Sequence, residues 1–461
     1  MNTIKKVKAL LICFIVLEIL ATLHIIKCCI DLTYSEEKTK PTIVADNTVS
    51  LDTLHETELP QDTEQVSATE PTVLTASIGA MGDLLMHKPV FDDLTYNAAV
   101  QQPDGTYNFD SIFKYIRDYL IPLDYTVANL ETTLCGEDNG YSYSGFPHFN
   151  CPDEIISGVK YAGFDMLLTA NNHSYDTGIV GYKRTLDVIQ GEGLKTLGTY
   201  KTAEETKWTI EQINGINIGM LCYTWAYSIT EDGRPSLNGN SAISEAGLCN
   251  FFHSSNLDPF YEDVKKYVDQ METAGAEVTI MYIHWGIEYN TFPNESQKQM
   301  AQTLCDIGID VIIGGHPHVV QPIELLESNV DPNHKTVCIY STGNAVSNQR
   351  VGNISDVHTA HTEDGLLFSV FFEKESGGDV HLAGVEVLPT WVYMHNNDDG
   401  KTEYNILPLD WNNKNEWKEM FSLNDAMFQA AQDSYHRTMD IVSDGLLDIH
   451  SYLSEIKQPF M

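Results

Sequence analysis

Polar residues able to bind a metal ion stand immediately after successive short apolar runs in this chain. Asp83 follows the run 74–81 in the pair Gly82-Asp83. Asn129 and Glu131 close the run 124–130, and Asn171, Asn172 and His173 close 164–170. His284 ends the run 277–284, and His316 and His318 follow 309–313. Ser341, Gly343 and Asn344 follow the run 336–341. Ligands of α/β sheets bind at the carboxyl ends of strands, so this arrangement reads as one metal-binding edge. Imidazole suits Zn, Fe or Mn, and carboxylate and amide oxygens suit Mn or Mg. One or two divalent ions are therefore expected, with Mn, Zn or Fe favoured. No cysteine stands at any of these ends, which argues against a structural thiolate zinc site. In an extended His316-Pro317-His318 both imidazoles would share a face. Pro317 stiffens the pair, and Gly314-Gly315 lets the backbone pass close to the site. Taken singly, His284 reads as a core histidine, Asp83 as turn chemistry, Glu131 as a cap and Asn172 as a loop residue. Their conjunction carries the metal reading. Trp285 and Tyr289 read as walls, and His87, His253, His334, His358, His361 and His381 as solvated or structural.

The elements that must position these residues are strands alternating with helices, which defines an α/β class. Further strand-like runs cover 216–222, 366–373 and 381–388. Asn294, with Gln297 three residues on, predicts a capped helix that carries Met300, Leu304 and Ile307 and stops at Gly308. From Met427 to Ile456 apolar residues recur every three or four positions, predicting one long amphipathic helix interrupted near Gly445. The organisation reads as an anchor over 1–30, a stalk over 31–73, the α/β domain over 74–395 and a helical extension over 396–461.

Lys5, Lys6 and Lys8 precede an apolar run over 9–26, about the ~20 residues that span a bilayer. Glu18 and His24 interrupt it, and no small-residue cleavage site follows. The basic flank stays in the cytoplasm, so a single-pass anchor with the bulk of the chain outside the cell is expected. The stalk is too polar to offset its chain entropy by burial. With 27 basic and 65 acidic residues the formal charge is −38, which excludes nucleic acid as a partner. An anionic substrate would need local cations, and Arg350 is a candidate. Nine cysteines include no CxxC pair. Cys135 and Cys151 flank a loop where a disulfide is conceivable, but thiols are the expected state.

The motifs Gly82-Asp83, Ala128-Asn129-Leu130-Glu131, Ala170-Asn171-Asn172-His173 with Asp176, His284-Trp285-Gly286 with Glu288, Gly315-His316-Pro317-His318-Val319 and Ser341-Thr342-Gly343-Asn344 occur in that order. In this the chain resembles the CapA family of capsule-synthesis proteins, whose domain is similar to the calcineurin-like metallophosphoesterases. The resemblance covers roughly residues 75–350. It implies a four-layer α/β/β/α sandwich. It also implies that Glu131 bridges two metals, that Asn172, His284 and His316 bind one, and that Asp83 and His318 bind the other. His173 would protonate the leaving group, oriented by Asp176. Asn129, Glu288 and Arg350 would face the substrate. Two departures stand out: Leu85 occupies the place of a usual His, and Glu131 that of a usual Asp. Three readings remain open. They are a component of poly-γ-glutamate synthesis or export with an envelope polymer or its membrane synthase as partner, a metal-dependent envelope hydrolase of phosphoesters or amides, and a non-catalytic scaffold.

Overall fold

A computed structural model describes residues 73–138, 140–353 and 358–456. The expected anchor, and the stalk up to residue 72, lie outside the described residues. Among the described residues no helix is long and apolar enough to cross a membrane.

Among the described residues there are seventeen strands: β1 Val73–Leu84, β2 Tyr125–Leu130, β3 Met166–Leu168, β4 Lys195–Leu197, β5 Thr209–Ile213, β6 Ile216–Trp225, β7 Ser228–Ile229, β8 Pro235–Ser236, β9 Phe251–Phe252, β10 Val278–His284, β11 Val311–Gly315, β12 Ile323–Glu327, β13 Lys335–Ile339, β14 Asn344–Val346, β15 Asp364–Glu375, β16 Val380–Asn396 and β17 Thr402–Pro408. One sheet runs β17-β16-β15-β1-β2-β3-β4, with β14 beside β1. The other runs β12-β13-β11-β10-β6-β5, with β9 beside β6. β1 to β4 are mutually parallel, as are β6, β10, β11 and β13. Each parallel set therefore delivers its carboxyl ends to one edge. All nine strand-like runs read from the sequence fall on these strands. Seven of them lie on the parallel strands and were legible because parallel strands covered on both faces are continuous apolar runs; all seven residues of β10 are buried. The other two lie on the antiparallel β15 and β16.

Side-chain alternation sorts the core. Ile78, Ala80, Val127 and Met166 of the first sheet share one cluster with Met220, Ile280, Val311 and Ile339 of the second. Met81, Ala128 and Leu167 turn the other way, onto Ile155, Ile156 and Val159 of helix α1 (Ile155–Ala162). Helix α2 (Gly178–Gly191) follows β3. Leu221, Met281 and Ile312 meet Val264 and Val268 of α3 (Asp258–Thr273) and Met300 and Leu304 of α4 (Glu295–Ile307). α4 starts with the expected capping box of Asn294 and Gln297, and Gly308 ends it in the left-handed region.

Two expectations about the tail are corrected. The boundary at 395/396 falls inside β16, and a turn over 397–401 returns the chain as β17, which pairs back on β16. β17 eluded the sequence reading because its buried positions include the polar Glu403 and Asn405, held by Lys114 and by the Ser111 carbonyl. Helix α5 (Asp425–Ile456) is unbroken at Gly445. The glycine is there for contact, because a Cβ at that position would lie 1.9 Å from the Ile323 carbonyl oxygen of β12. α5 is further tied to β15 by Arg437, which donates two hydrogen bonds of 2.7 Å to Asp364. The six cysteines of the described residues are buried thiols, and no disulfide joins Cys135 to Cys151.

Candidate metal centre

Close backbone approach builds the floor of the site. A Cβ on Gly82 would fall 1.8 Å from the Gly343 carbonyl oxygen, and one on Gly314 would fall 2.0 Å from that of Tyr340. These glycines bring the ends of β1, β11 and β13 together, and with them Asp83 and the histidines. His316 and His318 have φ of 92° and 56°. The pair is therefore not the extended segment expected from the sequence. Two left-handed residues turn the rings inward, to centroids 5.9 Å apart. Histidine enters this region more readily than most residues, though at a cost that the surrounding contacts must offset.

The ligand candidates converge. Glu131, His316 and His318 offer ligand atoms within 4.8 Å of one another, and so do Asp83, Glu131 and His284. Glu131 is common to both groups. His284 Nε2 stands 2.7 Å from Asn172 Oδ1 and 3.5 Å from Glu131 Oε1. Asp83 Oδ2 accepts from His318 Nδ1 at 3.0 Å, which leaves His318 Nε2 facing Glu131 Oε1 at 3.8 Å. Asn344 Oδ1, 3.2 Å from the same Nδ1, holds that tautomer from the other side. All of these side chains are buried.

Two buried atoms test whether a cation suits the pocket. Glu131 Oε1 and His316 Nδ1 carry no hydrogen bond. An orphaned carboxylate oxygen and an imidazole nitrogen at such depth are costly, and a divalent cation supplies what both lack. The electrostatics agree at His316, whereas His318 is charged until a cation displaces its proton. Burial pushes His316 well below the usual histidine range, aided by His284 and His318, so it is neutral, as a ligand must be. Burial opposes charge on His318, but Glu131 and Asp83 outweigh it and raise this group to about 9. Burial likewise opposes ionisation of Asp83, yet the His318 hydrogen bond and charge hold it below the ordinary aspartate range.

Beside the ligands lies a second pair. His173 Nδ1 donates to Asp176 Oδ2 at 2.7 Å, and the Phe149 backbone N–H donates to the same oxygen at 2.7 Å. Asn171 anchors the segment: its Nδ2 donates to Asn129 Oδ1 at 3.0 Å and to the Leu130 carbonyl at 2.8 Å, while its Oδ1 accepts from His173 N.

The residues expected to face substrate divide. Glu288 is exposed on the loop after β10, and its charge reaches His318. Asn129 instead spans the two carboxylates, donating to Asp83 Oδ1 at 2.8 Å and Glu131 Oε2 at 3.3 Å, so it aligns ligands. Arg350 is turned into the fold, where its guanidinium donates to Glu363 Oε2 at 2.6 Å and to the Val392 carbonyl. A buried carboxylate partner commits this cation to structure, which corrects the expectation that it serves an anionic substrate. Sequence reasoning set His87 aside as solvated or structural, yet it is buried at the site's border. Its Nδ1 lies 3.2 Å from the Leu85 carbonyl and 3.3 Å from Asn348 N, and its ring meets Phe149, which meets His173. Burial first, then the charge of His318, pushes it down to about 3. Asn238 and Asn240, which reach Asp176 from the segment after β8, carried no signal because no apolar run precedes them.

Fold and site together define an α/β protein with a candidate divalent-metal centre where the carboxyl edges of two sheets meet. Residues 77–349 match the family described as bacterial capsule synthesis protein PGA_cap, and the chain belongs to that family. It is similar to the PGA biosynthesis protein CapA of Bacillus subtilis, 27% identical over 71% of this chain and 75% of the relative. It is also similar to the capsule biosynthesis protein CapA of Bacillus anthracis, 27% identical over 56% of this chain and 58% of the relative. An uncharacterized protein of Sinorhizobium fredii is 23% identical over 50% of this chain and 60% of its own length. The chain thus spans three quarters of the first relative and less than two thirds of the other two.

Proposed function

We propose that this protein acts outside the cell membrane in the synthesis or export of a capsule polymer of the poly-γ-glutamate kind, held to the membrane by its N-terminal apolar run. Its metal centre would cut a phosphoester or amide bond. Membership of the capsule-synthesis family and the printed names of its relatives support the biological half. One observation carries the chemical half: two ligand groups share Glu131, with an acid dyad beside them. We read the two facing sheets and their outer helices as the four-layer α/β/β/α sandwich of the metallophosphoesterases.

In this reading Glu131 would serve both ions; the family resemblance gives Asn172, His284 and His316 to one and Asp83 and His318 to the other, whereas the atoms that lie together here group His316 with His318 and Asp83 with His284. When bound, such ions lower the pKa of coordinated water and stabilise developing negative charge. Asn129 keeps Asp83 and Glu131 apart in fixed orientation. The hydrogen bond of His173 Nδ1 to Asp176 leaves Nε2 facing the site; once the ring has taken up a second proton there, Nε2 would deliver it to the departing group and His173 would return to its neutral Nδ1–H form. The buried walls strengthen each of these interactions. Leu85, apolar and buried where a ligand His is usual, leaves the Asp83 half one donor short. That favours a second reading in which a single ion binds and the protein serves as a scaffold in a membrane complex.

The test uses the full chain in mild detergent, with metal content by elemental analysis and a panel of phosphodiesters and γ-glutamyl amides. At least one equivalent of metal, lost in His316→Ala, and turnover lost in His173→Ala with metal retained are expected. Metal below about half an equivalent and indifferent to His316→Ala sinks the site, because ligand loss must register in affinity. Metal without turnover selects the scaffold.

A further inference from the structure

The acid dyad is held by a part of the chain that supplies no metal ligand. β7 and β8 form a two-stranded hairpin, and the segment after it passes beside Asp176. Leu237 is fully buried, and the Asn240 N–H donates to the Leu237 carbonyl at 2.9 Å, closing a tight turn. Within that turn Asn238 has φ of 50°, a left-handed conformation that asparagine tolerates better than most residues. The turn aims two amides at one carboxylate. Asn238 Nδ2 donates to Asp176 Oδ1 at 3.2 Å, and Asn240 Nδ2 donates to the same oxygen at 3.1 Å. Asn238 Nδ2 also donates to the Pro147 carbonyl at 3.0 Å, tying the hairpin to the loop that carries Phe149.

Asp176 therefore accepts from two donors on each oxygen: His173 and Phe149 N–H on Oδ2, Asn238 and Asn240 on Oδ1. A carboxylate fixed on all sides cannot rotate toward or away from the imidazole. His173 Nδ1 lies 3.3 Å from Asn238 Nδ2, which is itself a donor, so the Nδ1 proton can go only to Asp176. We propose that Asn238, supported by Asn240, is a positioning residue: it fixes Asp176 and thereby keeps a proton on His173 Nδ1, so that Nε2 is the nitrogen that takes up a second proton and passes it to a leaving group. This rests on the proposed hydrolytic reading for its purpose, though not for its geometry.

The experiment uses the zinc-loaded full chain with 15N-labelled histidine. Imidazole nitrogen shifts report the His173 tautomer, with the resonance assigned by His173→Ala. Asn238→Asp keeps the size and the left-handed preference but replaces the donor by a second carboxylate. In the wild type His173 is expected as Nδ1–H. In Asn238→Asp, and more so with Asn240→Asp added, a mixture of tautomers is expected. With bis(p-nitrophenyl) phosphate as the probe, kcat should fall about 10- to 100-fold, the usual effect of losing an orienting partner, with KM and metal content little changed. If Asn238→Asp fails to fold, Asn238→Gly removes the amide without adding charge and gives the same readouts. A lowered melting temperature with unchanged tautomer and kcat would show a merely structural loop and overturn the proposal. A wild type that cleaves no probe defeats the hydrolytic reading alone, since the tautomer measurement still decides the role of Asn238.

Discussion

Gly82→Ala should damage the metal centre without touching a ligand. The added methyl would sit 1.8 Å from the Gly343 carbonyl oxygen, 2.8 Å from its carbon and 3.1 Å from Thr342 Oγ1. That is about 1.5 Å short of the closest ordinary carbon–oxygen contact, about 3.3 Å. Neither side can retreat. Gly343 backs onto the Asp364 carbonyl, and β1 is hydrogen-bonded to β2 on one flank and β15 on the other. The relief must come from the end of β1, where the Asp83 N–H donates to that same Gly343 oxygen at 3.0 Å. Overpacking costs about 1–3 kcal/mol and the lost hydrogen bond about 1 kcal/mol. At about 2.1 cal/mol/K of unfolding entropy per residue, a domain of this size should lose about 2–5 °C in melting temperature. Ligand positions tolerate only about 0.2 Å, so a displaced Asp83 should weaken metal binding at least about tenfold. Gly191→Ala is the control. Its Cβ meets nothing within 4 Å at the exposed end of α2, so it should be neutral or stabilise by up to about 1 kcal/mol. Thermal melts with zinc and with chelator, plus elemental analysis, read both effects. Gly82→Ala melting and loading like the wild type would refute the reasoning.

Gly445→Ala sets two terms against each other: about 1 kcal/mol of helix propensity gained against a methyl 1.9 Å from the Ile323 carbonyl oxygen. The clash should win, giving a net loss of about 1–3 kcal/mol in denaturant unfolding; a stabilised variant would contradict it. Chelation should lower the melting temperature of the wild type, since a metal at 100 times its Kd adds about 2.7 kcal/mol, and His316→Ala should abolish the difference in calorimetry. Burial opposes charge on Glu403, but the Asn405 hydrogen bond and Lys114 outweigh it and hold its carboxyl below the usual 4.5. A depressed acid stabilises above the unfolded pKa and loses that contribution as pH falls through the folded value. Glu403→Gln should therefore flatten the acid limb of stability by about 0.5–1 kcal/mol, after allowance for the partly exposed Lys114; equal slopes for both proteins between pH 6 and about pH 3, where such a carboxyl titrates, would count against the pair.

The metal edge was legible because each ligand candidate follows an apolar run, and run order in a parallel sheet maps onto position along an edge. The route by which ligands converge was not. Nothing in His316-Pro317-His318 tells a pleated strand from a left-handed turn, because the partners that hold the two histidines, Asp83 and Asn344, come from distant parts of the chain. Arg350 misleads and Asn238 gives no signal, for one reason. A long polar side chain looks available until its partner is known, and Glu363, 13 residues away, claims the first. Asp176, 62 residues away, claims the second. His87 shows the same limit, since burial beside Phe149 depends on a loop brought in from 62 residues further along the chain.

The segment matched by the family model, 77–349, is smaller than the segment that folds. β1, which carries Asp83, is zipped along its length to β15, from Val73 opposite Glu375 to Met81 opposite Leu367. All of β15 lies beyond the matched residues, and so do β16 and β17 and the helix that clamps them. A chain cut at the recognised boundary would keep every ligand yet bare a long, flat, apolar flank, the kind of raw edge that recruits other strands into aggregates. Family signature and fold are thus bounded at different places along this polypeptide: the ligand candidates stand in one block, and the strands that cover the flank of β1 are supplied by another.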